Sequence, residues 1–142
     1  MTPAVPSTIR LRVRYAETDA QGIVHHSNYL VWFESGRTEL LRGLGFPYTE
    51  LERQGLMMVV AKVAVKYHRP AFYDDKIRLE TSLVRLKGRM VAFAYQVVND
   101  VTGELLVSGE TTHMAVGRDR QPALLPPVLV QRLTGARSNC EV

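Results

Sequence analysis

Tyr15-Ala16-Glu17-Thr18-Asp19-Ala20-Gln21-Gly22-Ile23-Val24-His25-His26-Ser27-Asn28-Tyr29 runs without a break into Leu30-Val31-Trp32-Phe33. A two-residue alternation ends where this stretch begins, and a helical periodicity starts where it stops. Between those limits it gathers a carboxylate, a glycine turn, two adjacent histidines and two helix-capping residues. No other stretch of the chain is as dense in reactive groups. A strand-to-helix junction of this composition decides the fold and is the first place to look for function.

Working outward, Ile9-Arg10-Leu11-Arg12-Val13-Arg14-Tyr15 places Ile9, Leu11, Val13 and Tyr15 on one face and three arginines on the other. That is the pattern of a half-buried strand. The arginine row reads as a solvated face before it reads as a nucleic-acid stripe. On the other side, Ser27 or Asn28 can cap a helix. Tyr29, Phe33, Gly36, Leu40 and Leu44 then recur at helical spacing, and Arg42 followed by Gly43 or Gly45 marks the stop. A helix from Asn28 to Arg42 is about 22 Å long, close to the width of a five-stranded sheet at about 4.8 Å per strand. Tyr29 to Phe33 is apolar nearly all round, which predicts burial on several sides.

The remainder is mostly strand. Phe46 to Gly55 reads as a short Pro-initiated helix ended by Gly55. Leu56 to Tyr67 follows as a Val-rich strand, with Ala61, Val63, Val65 and Tyr67 facing one way and Lys62, Ala64 and Lys66 the other. His68-Arg69-Pro70 breaks it, and Asp74-Asp75 turns the chain. Ile77, Leu79, Thr81 and Leu83 alternate with polar residues, and Lys87-Gly88-Arg89 reverses into Met90 to Val98. Asn99 to Gly103 turns again into Glu104 to Val116. No helical pattern separates these strands, so hairpins and an antiparallel sheet are expected. Val128 to Leu133 closes the pattern as a short amphipathic piece.

With 142 residues, 46% apolar and 23% charged, the chain suits one folded domain over 1–142, with its core at about 8–126. No apolar run approaches the roughly 18 residues of a membrane span, and the N-terminus lacks a signal peptide's charged and apolar regions. A soluble, cytoplasmic protein is expected. Its one cysteine, Cys140, lies in a polar stretch and is a poor nucleophile candidate. The net charge of +4 suits an anionic ligand such as a phosphorylated cofactor, an acidic carrier protein or nucleic acid.

Serine-hydrolase elbows, phosphate-cradling glycine loops and Cys-x-x-Cys pairs are missing. Adjacent His25 and His26 diverge on a strand or turn, and His68 and His113 have no ligand spacing, so metal catalysis ranks low. Asp19 is the better candidate. An arbitrary Asp in such a turn serves its own backbone. Here an apolar loop and a helix N-terminus follow it, and the free N–H groups near His26 and Ser27 can hold a developing oxyanion. A carboxylate opposite such donors suffices for acyl transfer, as general base on water or as nucleophile through an anhydride.

At these residues the sequence resembles the 4-hydroxybenzoyl-CoA thioesterase-like family of hotdog-fold proteins, and within it the YbgC-type acyl-CoA thioesterases. The likeness is carried by Tyr15 to Tyr29, continues through Phe33-Glu34 and Arg37-Thr38-Glu39, and extends over Val65-Lys66-Tyr67-His68-Arg69-Pro70-Ala71 and Asp74-Asp75. It implies an α+β hotdog fold, an antiparallel five-stranded sheet wrapped around a long central helix. It also implies dimers or tetramers with the active site between two protomers. On that resemblance Asp19 is the catalytic carboxylate, the His26 backbone N–H polarises the thioester carbonyl, and Gly22 allows the tight turn beside it. Tyr15 and Tyr29 are either core aromatics or part of the acyl site. Coenzyme A enters as part of the substrate with no separate cofactor or metal. Its phosphates would meet Lys87 and Arg89, and its pantetheine arm would pass the strand at Val60.

Two other function classes stay open on the sequence. One is a hotdog dehydratase, whose His-Pro-Gly and later Glu are not found here. The other is a module that binds acyl-CoA or acyl carrier protein without turnover. Nucleic-acid binding rests on charge alone and ranks last.

Overall fold

In a computed structural model, residues 6–137 are described, and the N-terminal five residues and Cys140 lie outside them. Five strands form one antiparallel sheet in the order β1-β3-β4-β5-β2: β1 (Ser7–Arg12), β2 (Met57–Tyr67), β3 (Lys76–Lys87), β4 (Met90–Asn99) and β5 (Leu105–Val116). The expected alternation holds best in β3, where Ile77, Leu79, Thr81 and Leu83 are buried. Gly88, at a φ of 61°, provides the reversal between β3 and β4.

Helix α1 (Asn28–Gly43) lies across this sheet. Tyr29, Trp32, Phe33, Gly36, Leu40 and Leu41 form its buried face, and Phe33 stacks on Tyr95 of β4 with centroids 4.2 Å apart. The approach is close enough that β5 needs a residue without a side chain. A Cβ on Gly109 would stand 2.6 Å from the Phe33 ring. A short helix, α2 (Tyr48–Arg53), follows Pro47, and α3 (Pro127–Arg137) closes the core with Leu129 and Leu133 fully buried.

Three expectations change. The first strand ends at Arg12, because the Arg14 N–H donates to Glu17 Oε1 at 2.8 Å and folds Tyr15–Glu17 into a single 3-10 turn. Glu17 turns inward, and Tyr15 is left 76% exposed rather than sharing the buried face of Ile9, Leu11 and Val13. The front of α1 is buried on fewer sides than its composition predicts, with Leu30 39% and Val31 55% exposed. The third change concerns β2. A bulge between Val60 and Lys62 leaves Ala61 opposite no β5 residue and breaks the simple alternation. This strand is the sheet's edge, and most of its eleven residues are exposed.

Candidate active site

The loop between the 3-10 turn and α1 is closed by its own backbone. The Asp19 N–H donates to the Ile23 carbonyl and the Gly22 N–H donates to the Asp19 carbonyl, both at 2.9 Å. Gly22 sits at a φ of +81°, a left-handed position where a side chain is strained. One carboxylate oxygen of Asp19, Oδ1, accepts from the Gln21 N–H at 2.8 Å, as the ordinary turn reading requires. The other, Oδ2, has no partner among the described residues.

Glu17 fastens this loop to the helix. Its buried carboxylate accepts from Trp32 Nε1 at 2.7 Å, and its carbonyl accepts from the His25 N–H at 2.9 Å and from Asn28 Nδ2 at 2.8 Å. Burial pushes this carboxyl up. Hydrogen bonds from the Arg14 N–H, Trp32 and the Arg14 guanidinium outweigh that, and the group sits below its ordinary range.

Ser27 is the N-cap of α1, but neither it nor Asn28 caps through its side chain as expected. Ser27 Oγ is engaged with His25 Nδ1 at 2.8 Å, and Asn28 reaches back to Glu17. The His25 imidazole does the capping instead, with Nδ1 accepting from the Ser27 N–H at 3.2 Å. The neighbouring His26 ring stacks on it at 4.2 Å. The His26 N–H donates to nothing among the described residues, and its carbonyl accepts from the Tyr67 hydroxyl at 3.1 Å.

Asp19, His26 and Tyr29 line one open cavity of about 340 Å³, whose far wall is Tyr67, His68 and Arg69 at the end of β2. Tyr29 is the buried floor. Its hydroxyl accepts from the Ala71 N–H at 3.4 Å, its ring meets Tyr67 edge-on at 5.6 Å, and burial raises its phenol above the usual range. His68 Nε2 lies 2.9 Å from Ser108 Oγ, and Arg69 pairs with Glu104 at 3.3 Å. No group of three or more His, Cys, Asp or Glu among the described residues could hold a metal ion.

The other residues named from sequence fall elsewhere. Gly22 belongs to the turn beside the cavity and not to its wall. Tyr15 stands on the surface with its ring edge-on to Tyr73 at 5.4 Å. Val60 lines a second groove, of about 250 Å³, between α1 and β2. Lys87 and Arg89 occupy the exposed β3–β4 hairpin tip, at the end of the sheet where Val59 and Met90 both pair with Met114. Tyr67, at the other end of β2, pairs with Val107. Glu17, Tyr67 and Arg69 carry no signal of a role in the local sequence pattern, because their places depend on contacts across the fold.

The fold that carries this cavity is found in known proteins. Residues 13–133 match the thioesterase-like superfamily. Acyl-CoA thioesterase YbgC of Haemophilus influenzae is 39% identical over 106 residues, which are 74% of this chain and 76% of that protein. Among solved structures, that of a DHNA-CoA thioesterase from Staphylococcus aureus superposes with a TM-score of 0.87 at 30% identity, over 91% of this chain and 89% of that one. A hypothetical protein from Thermus thermophilus superposes with a TM-score of 0.86 at 33% identity, over 92% and 98% of the two chains. With its sheet wrapped on α1 in the hotdog manner, the chain belongs to the thioesterase-like superfamily, among the relatives of the YbgC proteins.

Proposed function

We propose that this protein is a thioester hydrolase that cleaves acyl-CoA to free acid and coenzyme A. The observation that carries the reading is the pairing, in one cavity, of two unspent groups of opposite polarity: Asp19 Oδ2 and the His26 N–H. A thioester carbonyl seated on the N–H gains stabilisation as its oxygen becomes negative, and the N-terminal field of α1 adds to it. Asp19 then acts in one of two ways. As base it takes a proton from water, and the hydroxide adds to the carbonyl. As nucleophile it adds directly and forms a mixed anhydride that water opens. Either route breaks the C–S bond, releases the coenzyme A thiolate to take up a proton, and consumes only water besides the thioester. No separate cofactor is assigned.

A second copy of the chain completes this site. The apolar β2 edge, with Val59 and Val60 exposed beside Leu30 and Val31 of α1, suits a strand from another copy, since long exposed edges are otherwise prone to mispairing. Antiparallel pairing of two β2 edges would set the partner's hairpin end beside the Asp19 cavity. Lys87 and Arg89 could then meet coenzyme A phosphates across the boundary and not within one chain, with the pantetheine arm near the partner's Val60 on β2. We infer a homo-oligomer, a dimer through β2 or a tetramer of such dimers. Acyl carrier protein is the alternative thioester carrier that the +4 charge suits. No helix among the described residues is long and apolar enough to cross a membrane, and a cytoplasmic setting fits coenzyme A as substrate.

The test is thiol release over a panel of acyl-CoAs, with Asp19→Asn alongside. The amide can neither take the proton nor attack, so turnover should fall by two or more orders of magnitude with fold and assembly unchanged. Near-parental hydrolysis by this variant would remove Asp19 from the mechanism. Tight acyl-CoA binding with no thiol released by the parent would turn the reading to a binding module.

A further inference from the structure

The hydrolase reading leaves one buried charge unused. Arg37 lies on the face of α1 that carries Leu30 and Glu34, three to four residues apart along the helix, and it is 8% exposed. Arg37 lines the second groove together with Val60 and Val63 of β2 and Thr111 of β5. Arg37 forms no ion pair among the described residues, and its Nε has no hydrogen-bond partner.

The surroundings do not discharge it. Burial works against the cation, but the phenol oxygens of Tyr95 and Tyr48 beside it more than compensate and hold the guanidinium charged. Thr111 cannot serve it fully, because its Oγ1 already bonds the Tyr95 hydroxyl at 2.6 Å and His113 Nε2 at 2.8 Å. Glu34 stands in the same groove one helical turn away and forms no ion pair among the described residues. The neighbours of Arg37 offer it neutral oxygens and no paired carboxylate, so an oxygen seated in the groove would add a charge-assisted hydrogen bond.

We propose that this groove is the distal acyl subsite and that Arg37 reads a hydrogen-bond-accepting oxygen, hydroxyl or carboxylate, at the far end of the acyl group. The geometry fits a chain leaving the thioester at the helix start. Arg37 lies about 13 Å of helix rise beyond Asn28, and helical side chains lean back towards the N-terminus, which brings the guanidinium within reach of an acyl group of about six to ten carbons. Apolar walls suit the methylenes, and the one buried cation suits the terminal oxygen. A hydroxyl could also donate to Glu34 while accepting from Arg37, so the two kinds of oxygen are separable by experiment.

This inference rests on the hydrolase reading, and the test keeps the two apart. Kinetics of thiol release by the full chain are compared for hexanoyl-CoA, 6-hydroxyhexanoyl-CoA and adipoyl-CoA, with equilibrium dialysis of the same three ligands. At least one oxygen-bearing chain should surpass the plain chain in kcat/KM and in affinity. In Arg37→Met that advantage, taken as the ratio to hexanoyl-CoA measured on the same variant, should fall about ten- to hundred-fold. Arg37→Lys, which keeps the charge and loses the fork, should retain part of it. A parent that prefers hexanoyl-CoA to both others overturns the subsite whether or not the variants fold, and so does an Arg37→Met protein that lowers all three equally. Absence of turnover on every thioester would count against the hydrolase reading, while the dialysis ratios would still decide the subsite.

Discussion

The Tyr67 hydroxyl donates to the His26 carbonyl at 3.1 Å, tying the end of β2 to the residue just before the N-cap of α1. On the other side, the His25 N–H is held by the Glu17 carbonyl at 2.9 Å. The peptide that bears the free His26 N–H is thus anchored before and after. Tyr67→Phe removes one anchor and leaves the ring that packs on Tyr29. Losing an oxyanion donor outright costs about 10²–10³ in rate, so loosening its aim should lower kcat on the order of ten-fold with KM little changed. Steady-state kinetics on one acyl-CoA check this. An unchanged kcat, or a loss confined to KM, would mean that Tyr67 only lines the cavity.

Glu17 holds loop and helix together from the inside. Glu17→Gln keeps the size and one acceptor for Trp32 Nε1, but it loses the charge that the Arg14 N–H and guanidinium serve. Hydrogen bonds to a charged group contribute about 1.5–3 kcal/mol, and a loss of about that size is expected in urea denaturation at neutral pH. The sign with pH follows from a folded-state value below the ordinary one. The contribution is present above the unfolded carboxyl's range and disappears as pH falls through the folded value. Parent and variant should therefore converge in stability in acid. A gap that stays constant down to acid pH would assign the loss to packing instead of charge.

How far these relationships could be read in the sequence depends on how local they are. The extent of α1, the hairpin at Gly88 and the Asp19–Gly22 turn follow from neighbours in the chain, through periodicity and turn chemistry. The hotdog arrangement and the weight on Asp19 came from the same run, Tyr15 to Tyr29, helped by a family likeness. What escaped was set across the fold. Glu17 is one more polar residue in the local pattern, and only its bond to Trp32, fifteen positions on, sets it apart. Tyr15 continued an alternation that the Arg14–Glu17 bond cuts short. Tyr67 meets His26 and Tyr29, and Arg37 lies beside Tyr48 and Tyr95, all contacts across the fold of which a local pattern carries no sign.

His113 makes the chain sensitive to mild acid. It is fully buried in β5, and burial, with the charge of Arg37 beside it, lowers its pKa to about 4 from an ordinary 6.5. Between those values the unfolded chain holds a proton that the folded chain does not, so stability falls as pH drops from about 6.5 towards 4. At about 1.4 kcal/mol per pKa unit the loss across that window is about 3.5 kcal/mol at most. His113→Gln, which keeps a polar group for Thr111, should be less stable near pH 7.5 and should lose little more on going to about pH 5. Denaturation midpoints at the two pH values give the comparison. A slope in the variant equal to that of the parent would place the acid sensitivity elsewhere.

The edge of β2 offers a test of assembly that does not touch the cavity. Ala61 lies at the bulge, exposed and opposite no residue of β5, so the strand's own ladder loses little if its N–H is removed. Proline is tolerated at bulges and on edges, yet it denies a neighbouring strand a donor and stiffens the contact. Ala61→Pro should therefore fold, with an unchanged far-UV circular dichroism spectrum, and should run by light scattering nearer the 16.0 kDa of one chain than the parent does. If the site is completed from a second copy, the single chain should also lose at least ten-fold in kcat/KM although Asp19, His26 and Tyr67 are intact. A variant that is monomeric and fully active would show that one chain suffices. One that keeps the parent's mass would move the interface away from β2. Because the mutated residue lines neither groove, a joint loss of mass and activity ties the chemistry at Asp19 to the pairing of two edges.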